Sequence, residues 1–174
     1  CWKGGGSGVS NTSGTITATV SANSAAGFSI IKFVGNATAG ATIGHGLSSA
    51  PEFWITKNMD EAYQWGVGTI THPSPAGNYY SALQSNYQAS SNTGIWDGTL
   101  PSATVITLGN LSGFQNESTD DHICYAFHSV EGYSKVGKYI GAGSGAGGEF
   151  QHGPVVHCGF LPAFVLIKQL TAPA

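Results

Sequence analysis

Residues 40–57 read GATIGHGLSSAPEFWITK, and residues 157–168 read HCGFLPAFVLIK. Both run from a His-Gly or Cys-Gly corner through a large apolar residue and Pro to an aromatic and a closing Lys. The correspondence extends upstream. Gly27-Phe28-Ser29 is answered by Gly132-Tyr133-Ser134, and Lys32-Phe33-Val34-Gly35 by Lys138-Tyr139-Ile140-Gly141. Gly46-Leu47 is answered by Gly159-Phe160, and Pro51, Phe53 and Lys57 by Pro162, Phe164 and Lys168. The offset drifts from 105 (27 to 132) to 111 (51 to 162), as glycine-rich loops of unequal length require. A period a little over a hundred residues is the size of one β-sandwich module. Residues 15–131 are therefore expected to form a β-sandwich repeat unit. Residues 132–174 are expected to hold the opening strands of a second, packed on the first unit or on a neighbouring copy. Residues 1–14 read as a linker or the end of a preceding repeat, so the chain is expected to begin and end inside an array. Two similar hairpins within one sandwich are the alternative.

The repeated element has a plain physical reading. Glycine beside His or Cys stands where the backbone bends or approaches another segment closely. Pro opens the returning strand, where a missing N–H does least harm. AFVLIK, at 163–168, is apolar almost throughout and is expected to be covered on both faces. Phe164, Val165, Leu166 and Ile167 are the candidate repeat-packing strand.

Short alternating runs fill the rest: TITATVSA at 15–22, then Phe28–Val34, Glu52–Lys57, Tyr63–Ile70, Tyr79–Leu83, Ala103–Leu108 and Ile123–His128. Tyr133–Ile140, Val155–Cys158 and Ala163–Lys168 follow. Turn signals separate them, among them Gly35-Asn36, Pro73-Ser74-Pro75 and Asp97-Gly98. About ten short strands between turns predict an all-β, β-sandwich or jelly-roll-like fold. NYYSALQSNYQASS, at 78–91, is the nearest approach to a helical stretch.

Composition narrows the function classes. Only 9% of the 174 residues are charged, against about 25% in ordinary soluble domains. The surface must then be Ser, Thr, Asn, Gln, Gly and backbone, which suits outer-surface and fibre proteins. Six basic residues spread along the chain make no nucleic-acid patch. No apolar run reaches the ~20 residues of a membrane-spanning helix. Of three cysteines, Cys1, Cys124 and Cys158, the latter two are expected to be buried and reduced, as free Cys packs like a small hydrophobe. A Cys124–Cys158 bridge is the alternative.

No cofactor and no transition metal are expected. The histidines, His45, His72, His122, His128, His152 and His157, lack zinc-ligand spacing, and in DDHIC (121–124 with Asp120) Cys124 belongs to an apolar strand. Asp120 and Asp121 with Asn116 and Glu117 read as a solvated acidic loop, with calcium as the sharper alternative. GSGAG at 143–147 has no helix pattern behind it and makes no nucleophile elbow, so the chain is not expected to be an enzyme. The Asn-x-Ser/Thr sites at Asn11, Asn36, Asn110 and Asn116 matter only in a source that glycosylates. The aromatics divide. Trp54 and Trp96 are assigned to the core. Tyr63, Gln64, Trp65, Asn78, Tyr79 and Tyr80 are candidates for glycan or subunit contact, since rings with polar rims stack sugars.

GFSIIKFVGNATAGATIGHGLSSAPEFWITKN, IWDGTLPSATVITLG and ICYAFHSVEGYSKVGKYIGAG with GFLPAFVLIK together resemble a repeated β-domain in large structural proteins of tailed phages, especially marine ones. The resemblance covers roughly residues 1–170 and departs at NYYSALQSNYQASSNTG. It implies a virion component of a tail fibre or appendage, located on a virion or an extracellular surface, and it carries no catalytic residues. The leading expectation is a non-enzymatic structural module acting by self-association, with copies of itself as partners. The alternatives are a receptor- or glycan-binding domain of a tail fibre or adhesin, and an accessory module of a secreted carbohydrate-active enzyme.

Overall fold

Period-two patterning becomes strand wherever one face can be buried, and here it does so in short runs between Val9 and Phe127. The computed structural model describes residues 2–141 and 153–171. Among them ten strands follow in order: β1 Val9–Asn11, β2 Ala18–Asn23, β3 Phe28–Val34, β4 Ala41–Gly44, β5 Phe53–Asn58, β6 Gly66–Thr69, β7 Tyr79–Ala82, β8 Ser90–Ser91, β9 Val105–Leu108 and β10 Asp121–Phe127. Eight of them form one antiparallel sheet in the order β1-β2-β3-β10-β5-β6-β7-β8, and β4 pairs with β9 in a second. The fold is all-β, a β-sandwich with one broad and one narrow layer. No helix among the described residues is long and apolar enough to cross a membrane.

The core lies between the layers. Val20, Ile31, Phe33, Cys124, Ala126 and Trp54 face inward from the large sheet, and Ala41, Ile43, Ile106 and Leu108 meet them from the small one. Trp54 and Trp96 are both buried, edge to face with centroids 5.2 Å apart. Each such side chain contributes roughly 2–3 kcal/mol by leaving water. β10 is the keystone: although late in sequence, it runs between β3 and β5, with Cys124 opposite Ile31 on one side and Thr56 on the other.

The register leaves a narrow gap beside Trp54, and a glycine fills it. Gly68 lies opposite Trp54 across β5 and β6. A Cβ there would stand 2.1 Å from Trp54 Cε2, and Trp96 holds the indole in place. Gly68→Ala is expected to cost about 3 kcal/mol, the upper end of overpacking penalties. Gly137→Ala, where a Cβ meets nothing within 4 Å, is expected to change stability by less than about 0.5 kcal/mol. Urea midpoints of the two variants check this; equal midpoints would show that Trp54 can move aside.

Several expectations need correction. The stretch 1–14, read as a linker or the end of a preceding repeat, contains β1, which pairs with β2 by Val9 opposite Val20, so that part of it is not a free linker; its Ser and Asn content conceals the strand. The run Tyr79–Leu83 holds, as expected, a strand, β7, and the segment 78–91 that came nearest to a helical pattern is the β7–β8 hairpin, with Tyr79 opposite Ser91. The runs Tyr133–Ile140, Val155–Cys158 and Ala163–Lys168 form no strands, apart from an isolated bridge of Val130 with Ser134. The reason is topological. β3 and β5, which Tyr133–Ile140 and Ala163–Lys168 resemble, already take both edges of β10, so the later segments cannot pair with β10 as these do. Cys124 is buried and Cys158 only partly so; both are free thiols. Cys1, GSGAG at 143–147 and His152 lie outside the described residues.

Candidate functional site

β3, β5 and β10 are apolar at both parities, so they supply a second apolar surface on the side away from the core. The register sets Phe28, Phe127 and Phe53 side by side on that outer face, and Ile30, Tyr125, Ile55 and Val67 in the next row. Phe28 and Phe127 centroids are 4.9 Å apart, Phe127 and Phe53 5.7 Å, and Phe28 stacks on Tyr125 at 6.5 Å with planes 3° apart. Antiparallel sheets usually turn a polar face to water; this one does so only beyond these two rows, where Lys32, Lys57 and Asp121 follow.

Segments from both ends of the chain lie on the face. Trp2 packs edge-on against Phe127 at 5.1 Å and near Phe28 at 6.3 Å, and Phe164 closes on Trp2 at 5.2 Å. Further on, Lys168 Nζ donates to the carbonyls of Ser85 and Tyr87, and Leu170 O accepts from Ala89 N–H. Residues 164–170 thus run from the phenylalanine row to the β7–β8 hairpin. At that hairpin the loop after β6 also folds over: His72 Nε2 lies 3.2 Å from Ser81 Oγ and buries it. The cover is thin. Phe164, Val165, Leu166 and Ile167, expected to be fully covered, are 61%, 62%, 48% and 65% exposed.

The six candidate contact residues are divided by the fold. Tyr63, Gln64 and Trp65 precede β6 at one end of the β6–β7 ladder, where Trp65 N–H donates to Gln84 Oε1. Asn78 and Tyr79 sit at the other end. Tyr80 turns inward onto Phe114 at 4.7 Å. No single stacking floor joins all six. The outer-face residues Trp2, Phe28, Phe53 and Phe127 escaped sequence reasoning; the available signal was the lack of alternation in GFSIIKF, EFWIT and ICYAF.

A family model described as a domain of unknown function, DUF7483, matches residues 1–173. The chain belongs to the DUF7483 family. No curated protein matches it, and no solved structure matches it. One family model thus runs through both occurrences of the repeated element.

The ionisable groups of this DUF7483 chain are largely tied into its own loops. Asp120 Oδ2 accepts from Asn58 Nδ2 at 2.7 Å, Asp121 pairs with Lys32 at 2.9 Å, and Glu117 Oε1 accepts from Gly113 N–H. Asn116 is buried. The stretch read as a solvated acidic loop is therefore a loop locked by its own side chains. Among the described residues no three His, Cys, Asp or Glu side chains stand where they could hold a metal ion together. Burial pushes the Cys124 thiol well above its usual range, which keeps it protonated and unreactive. It also lowers the pKa of His45, His72 and His122, that of His72 to about 4. An open groove of about 670 Å³ passes His72 between Pro75, Leu100 and Lys138, and its walls bring no carboxylate beside a nucleophile.

Proposed function

We propose that this DUF7483 chain is a non-enzymatic structural module that self-associates through the outer face of its large sheet and the segment laid on it. One observation carries the reading: four consecutive large apolar side chains, Phe164–Ile167, each about half exposed or more, lie beside an aromatic row. Exposed apolar patches of this kind in soluble proteins mark interaction surfaces. The low charge supports it, because a net charge of −3 over 174 residues gives copies little reason to repel. The proposed setting, a virion appendage or a surface filament, rests on the resemblance of HSVEGYSKVGKYIGAG and CGFLPAFVLIK to tailed-phage structural repeats.

The full chain is expected to show a sedimentation mass that rises with concentration. Val165→Glu with Ile167→Glu, at two exposed positions, is expected to remain monomeric and equally folded. A chain that stays monomeric at every concentration, and binds a glycan panel in a manner lost with Tyr79→Ala, would replace this reading with receptor binding.

A further inference from the structure

We infer that Ala163–Ile167 pairs antiparallel with the same segment of a second copy of this chain, about a two-fold axis, forming a strand that the single chain does not form. The inference rests on the self-association reading and specifies its mode.

Three observations converge. The first is sequence identity of kind: Pro162, Phe164 and Lys168 repeat Pro51, Phe53 and Lys57, and Phe53–Asn58 is a strand with partners on both edges, β10 and β6. A segment so patterned is competent to be a strand. The second is the backbone. Among the described residues, none of the N–H or C=O groups of 163–167 has a hydrogen-bond partner, so the row is open to an added strand. The third is the side chains, exposed at 48–65% over Phe164–Ile167. One event, addition of a strand, would satisfy both backbone and side chains.

The choice of partner follows from what edges exist. The ends of the large sheet are β1 and β8, three and two residues long, and β4 and β9 in the small sheet offer four each. None matches a run of five. The segment's own counterpart in another copy matches it residue for residue. A two-fold antiparallel pair is the closed, isologous arrangement that uses it. No charge opposes the approach: Lys168 is the nearest, and its amine is held aside by the Ser85 and Tyr87 carbonyls. Phe164 stays on Trp2, so each strand of the pair remains seated on its own sheet, and the two outer faces become continuous.

A two-fold pair has a geometric signature. Only the residue nearest the axis faces itself, at a Cα separation of about 4.5–5.5 Å, which a disulfide can span. Single cysteines are placed in turn at 163, 164, 165, 166 and 167 in full-length chain carrying Cys1→Ser and Cys158→Ser, and oxidised mildly. Cross-linked dimer is expected to peak at one position and fall on both sides. Val34→Cys, exposed on β3, is expected to give none. Leu166→Pro, which removes an N–H and cannot sit in a paired strand, is expected to weaken association at least about tenfold with an unchanged melting temperature. If the parent chain self-associates but the scan is flat, or Leu166→Pro associates as well as the parent, the pairing is wrong while the self-association reading stands. If the parent is monomeric at all concentrations, both fail.

Discussion

Asn116→Ala is expected to lower stability by about 3 kcal/mol, roughly the sum of three hydrogen bonds, one buried and two partly buried, lost with their partners left in place. Asn116 Oδ1 accepts from Asn36 N–H at 2.9 Å, and its Nδ2 donates to the carbonyls of Thr38 and Gly109, each at 3.0 Å. The side chain thereby ties the loop after β3 to the end of β9 and to its own loop before β10. Its backbone is also committed: φ is 66°, a left-handed conformation that Asn tolerates and Ala does not favour. Gly35 seats the other side of the clasp, bonding to Asp120 and Thr119, and a Cβ there would fall 2.0 Å from Glu117 O. Against a typical total of 5–15 kcal/mol, the loss is severe. The melting temperature should drop by about 10 °C in a chain of this length. Asn116→Gly, which keeps the backbone at ease and loses the same bonds, should recover about 1 kcal/mol of the deficit. Denaturant midpoints for both variants test the argument; a deficit under about 1 kcal/mol for Asn116→Ala would mean that water replaces the side chain without cost.

That clasp also shows where the sequence ceased to be readable. The β2, β3, β5, β7, β9 and β10 runs announced themselves by alternation or apolar continuity, and Trp54 and Trp96 were assignable to the core because a sandwich of this size has few other places for them. β4, the four residues ATIG inside GATIGHG, is short and bounded by glycines, so its local propensity is weak. β8 is two serines whose strand character comes entirely from lying opposite Tyr79 and Tyr80, a tertiary effect invisible locally. Asn116 and Asp120 looked like solvated loop residues because their partners, at 36, 38 and 58, are distant in sequence. The candidate site was half legible. AFVLIK is legible as an apolar strand needing cover, yet nothing in the sequence names its sheet partners, and the aromatic face it lies on requires the register of β3, β10 and β5 to assemble.

Stability is expected to fall steeply on acidification between about pH 6.5 and pH 4, with the buried histidines as the cause. His72 is nearly inaccessible, with Nε2 on Ser81 and its pKa lowered to about 4 chiefly by desolvation. His45 is held neutral in the same way: Nδ1 accepts from Leu47 N–H at 3.1 Å, Nε2 lies 3.3 Å from Ser102 O, and nearby His128 opposes a second positive charge. His122, stacked on Phe33 at 5.2 Å, is lowered by burial, although Asp120, Glu117 and Asp60 partly offset this. In the unfolded chain each imidazole titrates near 6.5. Above that pH both states are neutral and proton uptake contributes nothing to the difference between them. Below it the unfolded chain binds protons that the folded chain refuses, so the folded state loses ground as pH falls. For His72 alone the loss reaches about 3 kcal/mol by pH 4, and His45 and His122 add to it with the same sign. The check is a series of urea unfolding curves from pH 7.5 to 4.5, comparing the parent with His72→Gln, whose amide keeps a polar group beside Ser81 without the titration. The variant should start less stable at neutral pH and show a shallower decline, the two curves converging toward pH 4.5. A parent whose stability is flat between pH 7 and 5 would show that these imidazoles gain a proton within the fold at little cost, and that burial does not govern them.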